Sequence, residues 1–156
     1  MQTQTPSQAL DPESIRIDTR HCSWGTLIDQ ADNGAIELAP YFRHRPAWSR
    51  AVKSRLIESI LLQIPSQSVY LAEDRSGTYR VVDGWQRLST LHEFARGNQL
   101  ALEGLQYLPN LEGKRHGDLT PTLRRRISNT PIVMHVIAPT TPDDVMHSIV
   151  NRIQTW

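Results

Sequence analysis

The segment 49–64, SRAVKSRLIESILLQI, constrains the fold of this chain more than any other. Val52, Leu56, Ile57, Ile60, Leu61 and Ile64 recur at the spacing that lays one apolar stripe along a helix of 3.6 residues per turn. Ser49 is placed to cap the first turn, and Pro65 to stop the last, because the residue before a proline is pushed out of helical geometry. A helix with a single apolar face has to bury it against another layer, so the rest of the chain must supply one.

Strands are the nearest candidates for that layer. Val69 to Ala72 and Tyr79 to Val82 are strand-like, and Asp74-Arg75-Ser76-Gly77 between them has turn chemistry, which predicts a hairpin. Ile36-Glu37-Leu38 and Ile132 to Ala138 read as further strands. Helices are interleaved with them. Ser23 caps one through Trp24, Leu27 and Ile28 that closes at Asn33-Gly34, and Leu88, Leu91 and Phe94-Ala95 carry a second that stops at Gly97. Thr120-Pro121 opens a third with Leu123 and Ile127 inside, and Thr141-Pro142-Asp143-Asp144 repeats that cap-and-proline signature ahead of Val145, Ile149 and Ile153. The order lacks the strict strand-helix-strand rhythm of a doubly wound sheet, so the expected class is α+β, a compact unit with a small mixed sheet and packed helices.

At 156 residues the chain has the length of one domain. Residues 1–14, rich in Gln, Thr and Ser, read as a flexible tail, and 15–156 as the folded unit. The last residues, Ile153-Gln154-Thr155-Trp156, continue a helical pattern without a stop signal, which reads as a domain truncated at its C-terminus. Lysine plus arginine (17) exceed aspartate plus glutamate (16) by one, so any anion binding must be local rather than driven by a global field. No apolar run approaches the length of a membrane span, and the polar N-terminus lacks the regions of a signal peptide, so a cytoplasmic location without membrane partners is expected. Cys22, the single cysteine, excludes an intrachain disulfide and reads as a small buried apolar residue.

Chemistry concentrates where the hairpin hands over to a helix, in Asp83-Gly84-Trp85-Gln86-Arg87. The first N–H groups of a helix have no intrahelical partners and carry partial positive charge, a natural seat for an anion. Gly84 lets a ligand approach the backbone, Arg87 can grip a phosphate with two parallel hydrogen bonds, Gln86 can position a water, and Asp83 can hold a metal ion or accept a proton. The same residues also suit a plain turn, with Asp83 capping the helix and Gln86 and Arg87 facing solvent.

A second cluster, Tyr41-Phe42-Arg43-His44-Arg45-Pro46-Ala47-Trp48, combines cations with aromatic rings. Tyr41, Arg43, His44, Arg45 and Trp48 suit stacking a base or gripping a nucleic-acid backbone, and equally suit a connection whose rings anchor the following helix. Arg124-Arg125-Arg126 reads as a solvated face, with nucleic-acid contact as the alternative. The six histidines form no metal-ligand pattern, and no Gly-x-x-x-x-Gly-Lys-Ser/Thr phosphate loop is present.

In order, Pro40 to Trp48, Leu56-Ile57-Glu58-Ser59-Ile60-Leu61 with Ile64-Pro65, Tyr70-Leu71-Ala72-Glu73, and Asp83-Gly84-Trp85-Gln86-Arg87-Leu88-Ser89-Thr90-Leu91 resemble the N-terminal domain of GmrSD-type restriction endonucleases. The resemblance runs over roughly residues 23–156 and implies a fold similar to the ParB and sulfiredoxin superfamily. It also implies a phosphate- or nucleotide-binding sensor domain, with nucleoside triphosphate hydrolysis and Mg²⁺, in a DNA-modification-dependent antiphage restriction system. Asp83 and Gln86 become the catalytic candidates and Gly84 and Arg87 the phosphate-binding ones. The implied partners are a nucleoside triphosphate or another phosphate ligand, DNA, and a nuclease subunit encoded nearby. A noncatalytic DNA-binding module and an inactive remnant are the alternatives. Two positions depart from the family pattern: Trp85 stands where relatives keep a glutamine, and the glutamine of the upstream Phe-Gln-Arg is missing around Phe42-Arg43.

Overall fold

The structure, a computed structural model, describes residue 9, residues 11–38 and residues 47–155. Five strands and five α-helices make up its main elements: β1 (Ile17–Ser23), α1 (Trp24–Asp32), β2 (Ile36–Glu37), α2 (Arg50–Leu61), β3 (Val69–Glu73), β4 (Tyr79–Asp83), α3 (Trp85–His92), α4 (Pro121–Asn129), β5 (Pro131–Ile137) and α5 (Asp143–Thr155). The strands form one mixed sheet in the order β1-β5-β3-β4-β2. Pairs β1/β5 and β3/β4 are antiparallel, and β3/β5 and β2/β4 are parallel. The α+β expectation is met.

Alternation along the strands divides the core in two. Leu71, Val81 and Val136 join the main cluster with Trp24, Leu27, Ile57, Ile60, Leu88, Leu91 and Ile127, so α1 to α4 cover one face of the sheet. Their neighbours Ala72, Val82 and Ile137 point the other way and pack with Met146 and Val150 of α5. Among the described residues, α5 supplies the helical cover on that second face.

Helix α2 forms as its periodicity predicts, with the Ser49 hydroxyl accepting the Val52 N–H. Its termination differs from expectation. The helix ends at Leu61, and Gln63 takes a left-handed conformation (φ 60°), while Gln63 N–H bonds Ile60 and Ile64 N–H bonds Ser59. This is the paired 5→2 and 6→1 pattern of a Schellman stop, closed before Pro65 is reached. The Gln63 amide makes it tolerable by donating to Ile60 C=O and to Thr130 Oγ1. Val52 and Ile64, read as part of the apolar stripe, are 40% and 49% exposed, and the buried side instead includes Ser54 and Glu58.

The structure adds one strand and corrects two further readings. β1 is a seven-residue strand that the pattern in IDTRHCS did not reveal, because it lies at the sheet edge and carries polar residues on both sides. After α3 the chain runs through a π-helical turn, Glu93–Gly97, and the left-handed residue that ends it is Asn98 (φ 50°), not Gly97. Thr141 does not cap α5: its hydroxyl is buried and has no partner among the described residues, and the first helical bond runs from Met146 N–H to Pro142. Cys22 is half-buried against the core, which raises its thiol pKa. No helix among the described residues is long and apolar enough to cross a membrane.

Candidate functional site at the strand-to-helix turn

The turn lies where β4 ends and α3 begins. A bulge between Tyr70 and Leu71 shifts the β3/β4 register so that Tyr70 pairs with Asp83 while Leu71 pairs with Val81. Bulges of this kind re-aim side chains at strand ends. Gly84 then takes a left-handed conformation (φ 96°) as the N-cap of α3 and supplies no side-chain cap. A Cβ there would meet Arg87 Nη2 at 3.1 Å and Val69 Cγ2 at 3.2 Å, so glycine is required by both conformation and space. α1, α2 and α4 have hydroxyl caps from Ser23, Ser49 and Thr120. Asp83 is therefore not the helix cap that a plain turn would use.

Arg87 is folded back against the turn. Its side chain is 12% exposed; Nη1 donates to Gln67 C=O, Nη2 to Ser68 C=O at 3.0 Å, and Asp83 Oδ2 lies 3.7 Å from Nη2. The guanidinium thus fastens the loop that leads into β3 to the start of α3. Burial pulls the Arg87 pKa below its ordinary value, and the Asp83 carboxylate opposes that pull. Asp83 itself is one-third exposed, and Oδ1 has no partner among the described residues.

Gln86 accepts the Trp48 N–H through Oε1 at 2.7 Å, tying the entry of α2 to the turn. Of the upstream cluster, then, Trp48 is brought to the turn through its backbone; Tyr41, Arg43, His44 and Arg45 lie outside the described residues. Trp85, in the place of the family amide, opens α3 and packs its half-buried ring against the main core. In the basic run Arg125 and Arg126 are both exposed, and Arg126 Nε also donates to Leu61 C=O at 2.7 Å, satisfying a carbonyl at the end of α2.

A buried acid that holds a loop, and that the apolar pattern did not mark out, is Glu58, inside the very segment that identified α2. It is 4% exposed, and its carboxylate accepts the N–H groups of Gln106, Tyr107 and Leu108 at 3.1, 2.9 and 3.0 Å. Burial pushes its pKa up, but the three backbone donors together with Arg55 outweigh burial and hold it below the usual value. The signal was an acid on the apolar side of a helix, which a hydrophobic count does not register.

No group of three or more His, Cys, Asp or Glu that could hold a metal occurs among the described residues. A cleft of about 640 Å³ lies at the other end of the β3–β4 hairpin, between Asp74, Arg75, Arg80, Thr141 and Met146, and contains none of the residues of the turn. Neither a curated protein nor a solved structure shows significant similarity to the chain. The family model for the GmrSD restriction endonuclease N-terminal domain matches residues 25–146, a span that runs from α1 into α5 and holds the whole turn. The chain belongs to the GmrSD restriction endonuclease N-terminal domain family, and with it to the components of restriction systems.

Proposed function

We propose that the Asp83–Arg87 turn binds the phosphates of a nucleoside triphosphate, and that the domain is the nucleotide-binding, hydrolysis-competent sensor of a DNA-modification-dependent restriction system. The observation that carries this reading is Gly84: left-handed, without a side chain, and at the head of a helix that has no side-chain cap. The first N–H groups of α3 stand there with their partial positive charge, with the Arg87 guanidinium packed against Gly84 beside them.

Each neighbour has a role in that seat. Arg87 fixes the shape of the turn through the Gln67 and Ser68 carbonyls and adds positive charge beside it. Gln86 couples ligand to the entry of α2 through Trp48. Asp83 offers a carboxylate oxygen at the mouth, which suits Mg²⁺, an ion commonly held by one or two carboxylates plus ligand phosphates. When bound, that ion would neutralise charge on the phosphates.

Calorimetric titration of ATP and GTP with Mg²⁺ against the wild type, Asp83→Asn and Arg87→Ala tests the assignment. Weakened binding in both variants is expected. Equal affinity for all three proteins would remove the turn from the site, and a wild type that binds neither triphosphate would end the nucleotide reading.

A further inference from the structure

The register of the sheet places four chemistry-bearing residues in one row. Thr19 on β1 pairs with His135 on β5, His135 pairs with Tyr70 on β3, and Tyr70 pairs with Asp83 on β4. Paired residues point to the same side of a sheet, so Thr19, His135 and Tyr70 share the face away from α1 to α4, and the row meets the ligand turn at Asp83 across the β3/β4 bulge. Neighbouring strands lie about 4.8 Å apart, which puts His135 on the order of 10 Å from Asp83.

Contacts along the row hold His135 in one orientation. Thr19 Oγ1 and His135 Nδ1 are 2.9 Å apart, and the Tyr70 and His135 rings lie 4.6 Å apart at 32°. One ring nitrogen is thus engaged and the ring is braced from the other side by an aromatic face. Nε2 has no partner among the described residues, and the residue is only half-buried although it sits on an interior strand. Strand interiors in a compact domain are usually filled with apolar side chains, as Val136 and Ile137 are beside it. A histidine whose Nδ1 is fixed by a hydrogen bond presents Nε2 for contact with a ligand or for proton exchange.

We propose that His135 is a ligand-contacting residue of the Asp83–Gly84 site, donating through Nε2 to the phosphate-bearing ligand seated there, with Thr19 and Tyr70 as its positioning residues. The inference rests on the nucleotide reading of the turn and extends the site by two strands. It also explains why an aromatic residue and a histidine stand together in the middle of the sheet where α5 leaves the row partly open.

Ring-nitrogen NMR of His135, recorded together with the backbone amide of Gly84 while Mg²⁺-ATP is titrated, separates the two readings. The expected result is a His135 Nε2 shift with the same midpoint as Gly84. His135→Ala should weaken binding about tenfold, the scale of losing one hydrogen bond to a charged group. Thr19→Val should mix the two imidazole tautomers, visible in the same spectra, and weaken binding by a smaller factor, while His21→Gln, two residues further along β1, should leave affinity unchanged. A Gly84 shift without a His135 shift, with His135→Ala binding as wild type does, overturns the row and leaves the turn intact. If neither signal moves at saturating ATP, both readings fall.

Discussion

Two carboxylates, Glu58 in α2 and Asp83 at the end of β4, are handled in opposite ways. Glu58 is withdrawn from water and meets three backbone donors from a single loop, with Ser54 one turn earlier accepting the Glu103 N–H and Glu112 accepting those of Gly104 and Leu105. Every strong interaction it can make is internal. Asp83 has one loose ion pair and a side chain one-third exposed to water. A buried acid whose acceptors are all engaged holds a loop in place; an acid of the same chemistry with capacity left over, beside an uncapped helix, is equipped to meet something from outside.

The contrast is broken most severely at Glu58. Glu58→Ala strands three N–H donors in a closed loop and is expected to destabilise the domain by about 3 kcal/mol or more, read by chemical denaturation. The same carboxylate gives the fold an acid sensitivity. Its folded pKa lies below the unfolded one, so its contribution is complete above the unfolded value and is lost as pH falls through the folded value. The slope of stability against pH below about 4.5 should therefore flatten in Glu58→Gln.

At the turn, the effects on stability and on ligand should separate. Arg87→Ala removes the ties to Gln67 and Ser68 and is expected to cost about 2–3 kcal/mol of stability. Asp83→Asn removes the counter-charge of a mostly buried guanidinium and should cost about 1 kcal/mol, less than Arg87→Ala, while lowering Mg²⁺-triphosphate affinity. Should Asp83→Asn destabilise as much as Arg87→Ala, Asp83 belongs with Glu58 as a structural acid. The smallest effect is reserved for the α5 entry: Thr141→Val, which removes a buried hydroxyl without a partner, should be neutral or stabilise by up to about 1 kcal/mol in thermal melts.

Much of the fold was legible because it is written in short-range terms. Ser23, Ser49 and Thr120 each accept the N–H three residues on, as their positions before apolar runs predicted. The hairpin turn is likewise local, with Asp74 Oδ1 accepting Ser76 and Thr78 N–H groups. What escaped depends on partners distant in sequence. β1 is a strand because β5, more than a hundred residues later, pairs with it, and nothing within IDTRHCS announces that pairing. Gln63 can occupy a left-handed position because Thr130 is there to take its amide. At the site, Asp83, Gly84, Gln86 and Arg87 were all singled out from sequence, but the inward fold of Arg87 and the row through Tyr70 and His135 come from the register and its bulge, which no local pattern encodes.

The strand order bears on how the protein is made. β5, the last of the described strands in chain order, enters between β1 and β3 rather than at an edge. Until residues 131–137 are available, β1 has no neighbour in the sheet and β3 shows an open flank, so the nascent chain carries unpaired strand edges that only β5 closes. Sheet closure is thus a late, long-range event, and a ribosome-bound chain stalled before residue 131 would be the species most in need of a chaperone.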